Sequence, residues 1–184
     1  MRTDGLYDDL IAAAIPLASP RLPLAIPSLR AVARACGVSA TAVYRYFASQ
    51  TVLTQTILGS IESAFLAALA GADDPGQPPR ERLRCLAHAY LSWGLANPGL
   101  YQLRFESVDR SDEDSVRTGA SDDMLVHIGS LIAASDSVSQ VTAEDLWAGL
   151  HGLVSLRIHK SDRAWADESD AQIERFLAMW DLAV

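Results

Sequence analysis

The sequence predicts an all-α protein: a small three-helix head carrying a helix-turn-helix, followed by a larger helical body. Apolar residues recur at spacings of three and four through almost every stretch between turns, and the breaks are dense in glycine and proline. The one alternating run, Leu22, Leu24 and Ile26, lies among prolines that argue against a strand ladder. With 184 residues, 49% of them hydrophobic and 21% charged, the chain can bury a substantial core and is not a disordered segment.

Tyr7 to Ala18 carries Leu10, Ile11, Ala14 and Ile15 on one stripe, and Pro16 is expected to end or bend this first helix. Ser19 to Pro27 reads as an apolar loop folded back on the core. Ser28 can cap a helix with Leu29, Val32, Ala33 and Cys36 on its inner face, and Gly37 supplies a left-handed break. Ser39 then caps a second helix whose core residues are Val43 and Phe47. Ser49 opens a long helix with Leu53, Ile57, Ile61 and Phe65 inward, and "GADDPGQPP" ends it.

Arg80 to Ala96 continues the pattern through Leu83, Leu86, Ala87, Tyr90, Leu91 and Gly94 until Asn97-Pro98-Gly99 stops it. A short helix or turn, Leu100 to Phe105, follows. "ESVDRSDEDSVRTGASDD" has no apolar period and reads as a loop, and Met124 to Ala133 resumes a helix. Thr142 and Asp145 stand where a capping box would hold the start of a helix running to Ile158, with Gly149 and Gly152 narrowing it for close crossing. Ala171 to Leu182 is the last amphipathic helix, for eight or nine in all.

The net charge of −8 is a poor signature for nucleic-acid binding when taken whole. Residues 1–60, however, hold five arginines against three aspartates, so the acidity belongs to the rest of the chain. Cys36 and Cys85 sit within helical patterns and read as small buried thiols. The acids between Asp109 and Asp114 and the four histidines lack metal-ligand spacing, and no nucleophile elbow occurs, so catalysis and cofactors are not expected. The acidic start and the lack of 18 uncharged apolar residues in a row point away from a signal peptide or membrane span and toward the cytoplasm.

The chemistry concentrates in "SLRAVARACGVSATAVYRYF", Ser28 to Phe47, a helix, a glycine-containing turn and a second helix. If the second helix enters a major groove, Ser39, Thr41 and Ala42 are small enough to let it sit deep. Arg45 can reach guanine or phosphate, and Tyr44 can place a hydroxyl on the backbone. An ordinary helical hairpin with Tyr44 and Tyr46 as packing aromatics is the alternative from pattern alone.

The stretch "LRAVARACGVSATAVYRYFASQTVL", Leu29 to Leu53, resembles the head of tetracycline-repressor-like bacterial transcriptional regulators. The resemblance rests on "VA" before the turn, "GVS", the pair in "YRYF", and an apolar residue after a cap serine. It implies a DNA-binding domain over 1–48 and a ligand-binding and dimerisation domain over 49–184. By position it makes Ser39, Thr41, Ala42, Tyr44 and Arg45 groove-facing, puts Tyr46 at the phosphate backbone and buries Phe47. Gln50 is a further DNA contact and stands where the family commonly has a phosphate-binding lysine. Tyr46 replaces a frequent histidine, and Ser19 to Pro27 lacks the usual glycine-containing connection. "LWAGLHGLVSL", Leu146 to Leu156, is similar to one branch with a Trp-His-Gly element.

The resemblance implies a ligand-responsive regulator, a repressor, that binds a palindromic double-stranded operator as a homodimer. Leu150, Leu153, Val154, Ile173, Phe176, Leu177 and Trp180 are its expected dimer interface. The expected effector site is lined by Tyr90, Trp93, Tyr101, Phe105, Met124, His127, Ile128, Trp147 and His151, which would suit an apolar or aromatic small molecule. A helical protein-interaction module without DNA binding is the competing reading.

Overall fold

The structure is a computed structural model that describes residues 4–18, 26–106 and 119–182. Among them are nine helices and no strand. They divide between two compact units, Met1–Ser63 with Asn97–Val116, and Ala64–Ala96 with Arg117–Val184. The expected Ser19 to Pro27 loop falls mostly outside the described residues, as do the acids between Asp109 and Asp114.

The first unit holds α1 (Asp4–Ala18), α2 (Leu29–Cys36), α3 (Ala40–Tyr44), the opening turns of α4 (Gln50–Ala72) and α6 (Pro98–Phe105). Pro16 lies inside the last turn of α1, just before the helix ends at Ala18. Helix α1 packs on both α2 and α6 and buries Leu10, Ile11 and Ala14. Leu53, Ile57 and Ile61 of α4 are buried in the same unit, as the four-residue spacing predicts. Directly after Ile61, Glu62, 5% exposed, is paired with Arg104 of α6 at 2.9 Å. A carboxylate this buried requires such a partner, because its desolvation would otherwise be uncompensated.

In the second unit α5 (Pro79–Ala96) packs against α7 (Gly119–Ala133), α8 (Ala143–His159) and α9 (Ser169–Met179). Helix α7 begins at Gly119, so the last five residues of the expected loop are helical. The Thr142 capping box forms in both directions. Its hydroxyl accepts from the Asp145 N–H at 3.1 Å, and the Asp145 carboxylate accepts from the Thr142 N–H at 3.0 Å. The Phe176 ring of α9 lies on Gly149 of α8, where an added Cβ would be 2.0 Å from the ring tip. Gly152 has open space over the same position, so only one of the two glycines serves a crossing within the chain. Both thiols are half-buried rather than core, and burial is the main cause that pushes each of them up from the usual range.

Asp73, just beyond α4, joins three elements of this unit. Arg82 of α5 donates to it through Nε at 2.6 Å and Nη2 at 2.9 Å, and His127 of α7 lies 2.8 Å from the same carboxylate. The Arg82 hydrogen bond holds the Asp73 carboxyl below its ordinary range, against burial, with His127 adding to it. A carboxylate with a lowered folded-state pKa contributes stability above its unfolded pKa and loses that contribution as pH falls through the folded value. Asp73→Asn should therefore be less stable than wild type near neutrality, and the gap should close as pH falls below about 4. Denaturant titrations across that range check this; a gap that stays constant would remove Asp73 as its source.

Candidate functional site

The helix-turn-helix is built by local chemistry before any packing. The Ser28 hydroxyl accepts from the Ala31 N–H at 3.2 Å and caps α2. At the other end Gly37 takes φ 66°, where a Cβ would be strained, and the Val38 N–H reaches back to the Ala33 carbonyl at 3.0 Å. The Ser39 hydroxyl then accepts from the Ala42 N–H at 3.2 Å to start α3.

Helix α3 is only five residues long and ends at Tyr44. Phe47, expected within it, is instead reached through a turn in which the Tyr46 and Phe47 N–H groups both bond the Val43 carbonyl at 3.0 Å. Val43 and Phe47 are fully buried, and Tyr7 of α1 stacks on the Phe47 ring at 5.5 Å. Burying two such side chains contributes about 3–6 kcal/mol toward holding so short a helix in place. Tyr46 is half-buried, with its ring 6.4 Å from Tyr7.

Ser39, Thr41, Tyr44 and Arg45 are exposed, Tyr44 by 50%, while Ala42 is half-buried. Arg30 and Arg34 are exposed on α2 and lie off its apolar stripe, a signal that could have marked them as candidates. The result is a short helix pinned by its inner residues, with hydroxyls and a guanidinium outward and two further cations on the adjoining helix. Such a surface can bond phosphate oxygens and base edges.

Gln50 is exposed like these, but its amide is engaged within the unit. Its Oε1 accepts from the Leu29 N–H at 3.2 Å, and its Nε2 donates to the Pro27 carbonyl at 3.0 Å. Nothing in the local sequence signalled this pairing.

The effector candidates divide between the two units. Tyr101 and Phe105 belong to the first, with ring centroids 4.8 Å apart and Tyr101 fully buried. In the second unit Phe65 meets Tyr90 and Trp93 edge-on, each at 5.2 Å. Met124, Ile128 and His151 are half-buried, Trp147 is 41% exposed, and His127 is engaged with Asp73. A groove of about 430 Å³ lies between α7 and the start of α8, lined by Leu125, Ile132, Val141 and Glu144 among others. None of the nine expected effector residues lines it.

Of the seven expected interface residues, Leu150, Val154, Ile173 and Leu177 are buried inside the single chain. They face the chain's own core. Leu153, Phe176 and Trp180 are half-buried, and Trp147, Leu156 and Met179 are exposed large apolar residues on the same two helices or flanking them. Among the described residues no cluster of three His, Cys, Asp or Glu side chains could hold a metal ion.

A family profile described as "Tetracyclin repressor-like, C-terminal domain" matches residues 83–180, more than half of the chain. The chain belongs to the tetracycline-repressor-like family. The description names no branch within it. Solved structures with the same fold include a protein of unknown function from Rhodococcus sp. RHA1, 25% identical over 95% of this chain and 93% of that one, with a TM-score of 0.75. A bacterial regulatory protein in the tetR family from Rhodococcus RHA1 is 17% identical over 94% and 93%, with a TM-score of 0.73. A TetR family transcription regulator from Marinobacter aquaeolei VT8 is 19% identical over 98% and 96%, with a TM-score of 0.70. No curated protein matches it in sequence. As a tetracycline-repressor-like protein the chain is a ligand-responsive transcriptional regulator rather than an enzyme, with DNA, a second copy of itself and an effector as its partners.

Proposed function

We propose that the chain represses transcription by binding a roughly palindromic operator as a two-fold dimer, with α3 in the major groove of each half-site. The observation that carries this reading is α3 itself, fixed from within by the buried Val43 and Phe47 while Tyr44 and Arg45 face outward. Residues 1–48 then form the DNA-binding domain and 49–184 the ligand-binding and dimerisation domain. Ser39, Thr41, Ala42, Tyr44 and Arg45 read the groove, Tyr46 approaches the backbone, and Arg30 and Arg34 hold phosphates. The dimer forms through the part of α8 and α9 that the chain leaves uncovered, around Leu153, Leu156, Phe176 and Met179.

The effector is an apolar or aromatic molecule held in the second unit by Tyr90, Trp93, Met124, Ile128, Trp147 and His151. His127 is left out because Asp73 and Arg82 occupy it. By binding one arrangement of the dimer better than the other, the effector shifts its affinity for DNA. In this reading the regulator works in the cytoplasm.

Footprinting on DNA flanking the protein's own gene tests the proposal. Two protected half-sites centred about one helical turn apart are expected. Protection of a lone half-site, or none at low salt, would reject it.

A further inference from the structure

The helix-turn-helix has two open ends, the chain entering α2 at Pro27 and the chain passing into α4 at Gln50. We propose that the Gln50 amide is a clasp that closes this unit and holds it in its DNA-reading shape, a positioning role in place of a phosphate contact. The two hydrogen bonds it makes, to the Leu29 N–H at 3.2 Å and the Pro27 carbonyl at 3.0 Å, cross 21 and 23 residues of sequence. Everything between them is α2, the Gly37 turn, α3 and the turn into α4. The amide therefore joins the start of α2 to the start of α4, with α3 lying between them in the chain.

The clasp meets a need that the cap serine leaves open. A helix start exposes N–H groups without intrahelical partners. Ser28 serves Ala31, and the Leu29 N–H is served by Gln50 instead. Holding both ends requires a donor and an acceptor on one short planar group. Lysine has three donors and no acceptor, so it would leave the Leu29 N–H unserved. Glutamate could accept from Leu29 but would set a carboxylate oxygen against the Pro27 carbonyl. Asparagine is one methylene shorter. The departure from lysine at position 50 thus exchanges a charge-assisted contact for a geometric one.

The test uses the full-length chain with Gln50→Ala and Gln50→Lys, with Gln50→Glu as the conservative third variant and helical content by circular dichroism as the folding control. Amide hydrogen exchange at Leu29, measured without DNA, should accelerate by about tenfold in the first two variants and less in the third, which keeps an acceptor. The second readout is the ratio of affinity for DNA flanking the protein's own gene to affinity for a random-sequence duplex, at one salt concentration. That ratio should fall by about tenfold in Gln50→Ala and equally in Gln50→Lys, because added charge strengthens both bindings without restoring the recognition helix. Wild-type exchange at Leu29 in Gln50→Ala would overturn the clasp. So would a Gln50→Lys ratio equal to or above wild type, the outcome a phosphate-contacting position gives. The DNA readout rests on the function proposed above; if the wild-type chain bound no DNA that reading would fail, and Leu29 exchange would still decide the clasp.

Discussion

Changing Tyr44 and Arg45 together to alanine should weaken operator binding by roughly 100-fold while thermal stability stays within about 0.5 kcal/mol of wild type. The separation is expected because both side chains are exposed and α3 is held by Val43 and Phe47, which the change leaves alone. Arg45 carries most of the effect, since a guanidinium on guanine or phosphate makes charge-assisted bonds that nothing replaces. The salt dependence assigns its target. A slope of log affinity against log salt reduced by about one places Arg45 on a phosphate, whereas relaxed discrimination at one base pair with an unchanged slope places it on guanine. Unchanged affinity with unchanged dimer mass would reject the groove assignment.

Gly149→Ala should destabilise the chain by about 1–3 kcal/mol, although alanine is the better helix former. The added methyl would meet Phe176 Cζ at 2.0 Å and Cε2 at 2.4 Å, far inside the contact distance of about 3.5 Å or more between carbon atoms. Either the ring leaves its place beside Trp180, with which it makes an edge-on contact at 6.5 Å, or α8 and α9 separate. In a Phe176→Ala background the obstacle is gone, and the same change should instead stabilise by up to about 1 kcal/mol through helix propensity alone. Thermal melts of the four proteins in this double-mutant cycle check the inversion. Equal costs of Gly149→Ala in both backgrounds would show that the helix contact does not run through this pair.

The contact with Gly149 also gives Phe176 a role inside its own chain. Its spacing with Ile173 and Trp180 marks an apolar face, which suits a dimer seam as well as a core. In the structure part of that ring lies on Gly149 of its own chain, so a charged residue there would damage the α8–α9 packing before it tested any partner contact. Leu156 and Met179, 52% and 76% exposed, are cleaner places to probe association. An apolar stripe says that a face is covered, and only the packed chain says how much of it is already covered from within.

Much of the helix-turn-helix was legible because its controls are local. A cap serine acts on an N–H three residues on, and a left-handed glycine closes the helix directly before it; the Thr142–Asp145 box that starts α8 is as local, spanning four residues. Such bonds depend on residue types at fixed short separations, which a sequence displays. The inward stripes of α4 and α5 follow equally from helical period, and the four-residue spacing of Val43 and Phe47 matches their burial. The length of α3 was harder to judge, since the turn after Tyr44 returns Phe47 to the interior without a helical residue at that position.

The sequence by itself determined where most of the helices lie, the caps at Ser28, Ser39 and Thr142, the left-handed turn at Gly37 and the family resemblance, all of which rest on short-range chemistry or on a motif read in order. Only the tertiary structure decided that Gln50 joins the two ends of the helix-turn-helix, that Asp73 and His127 pair, that Gly149 rather than Gly152 admits Phe176, and that Leu150, Val154, Ile173 and Leu177 face inward. Those outcomes pair residues 20 or more positions apart or choose between two faces of one helix. Helical periodicity fixes which residues share a face, and packing alone fixes what that face meets.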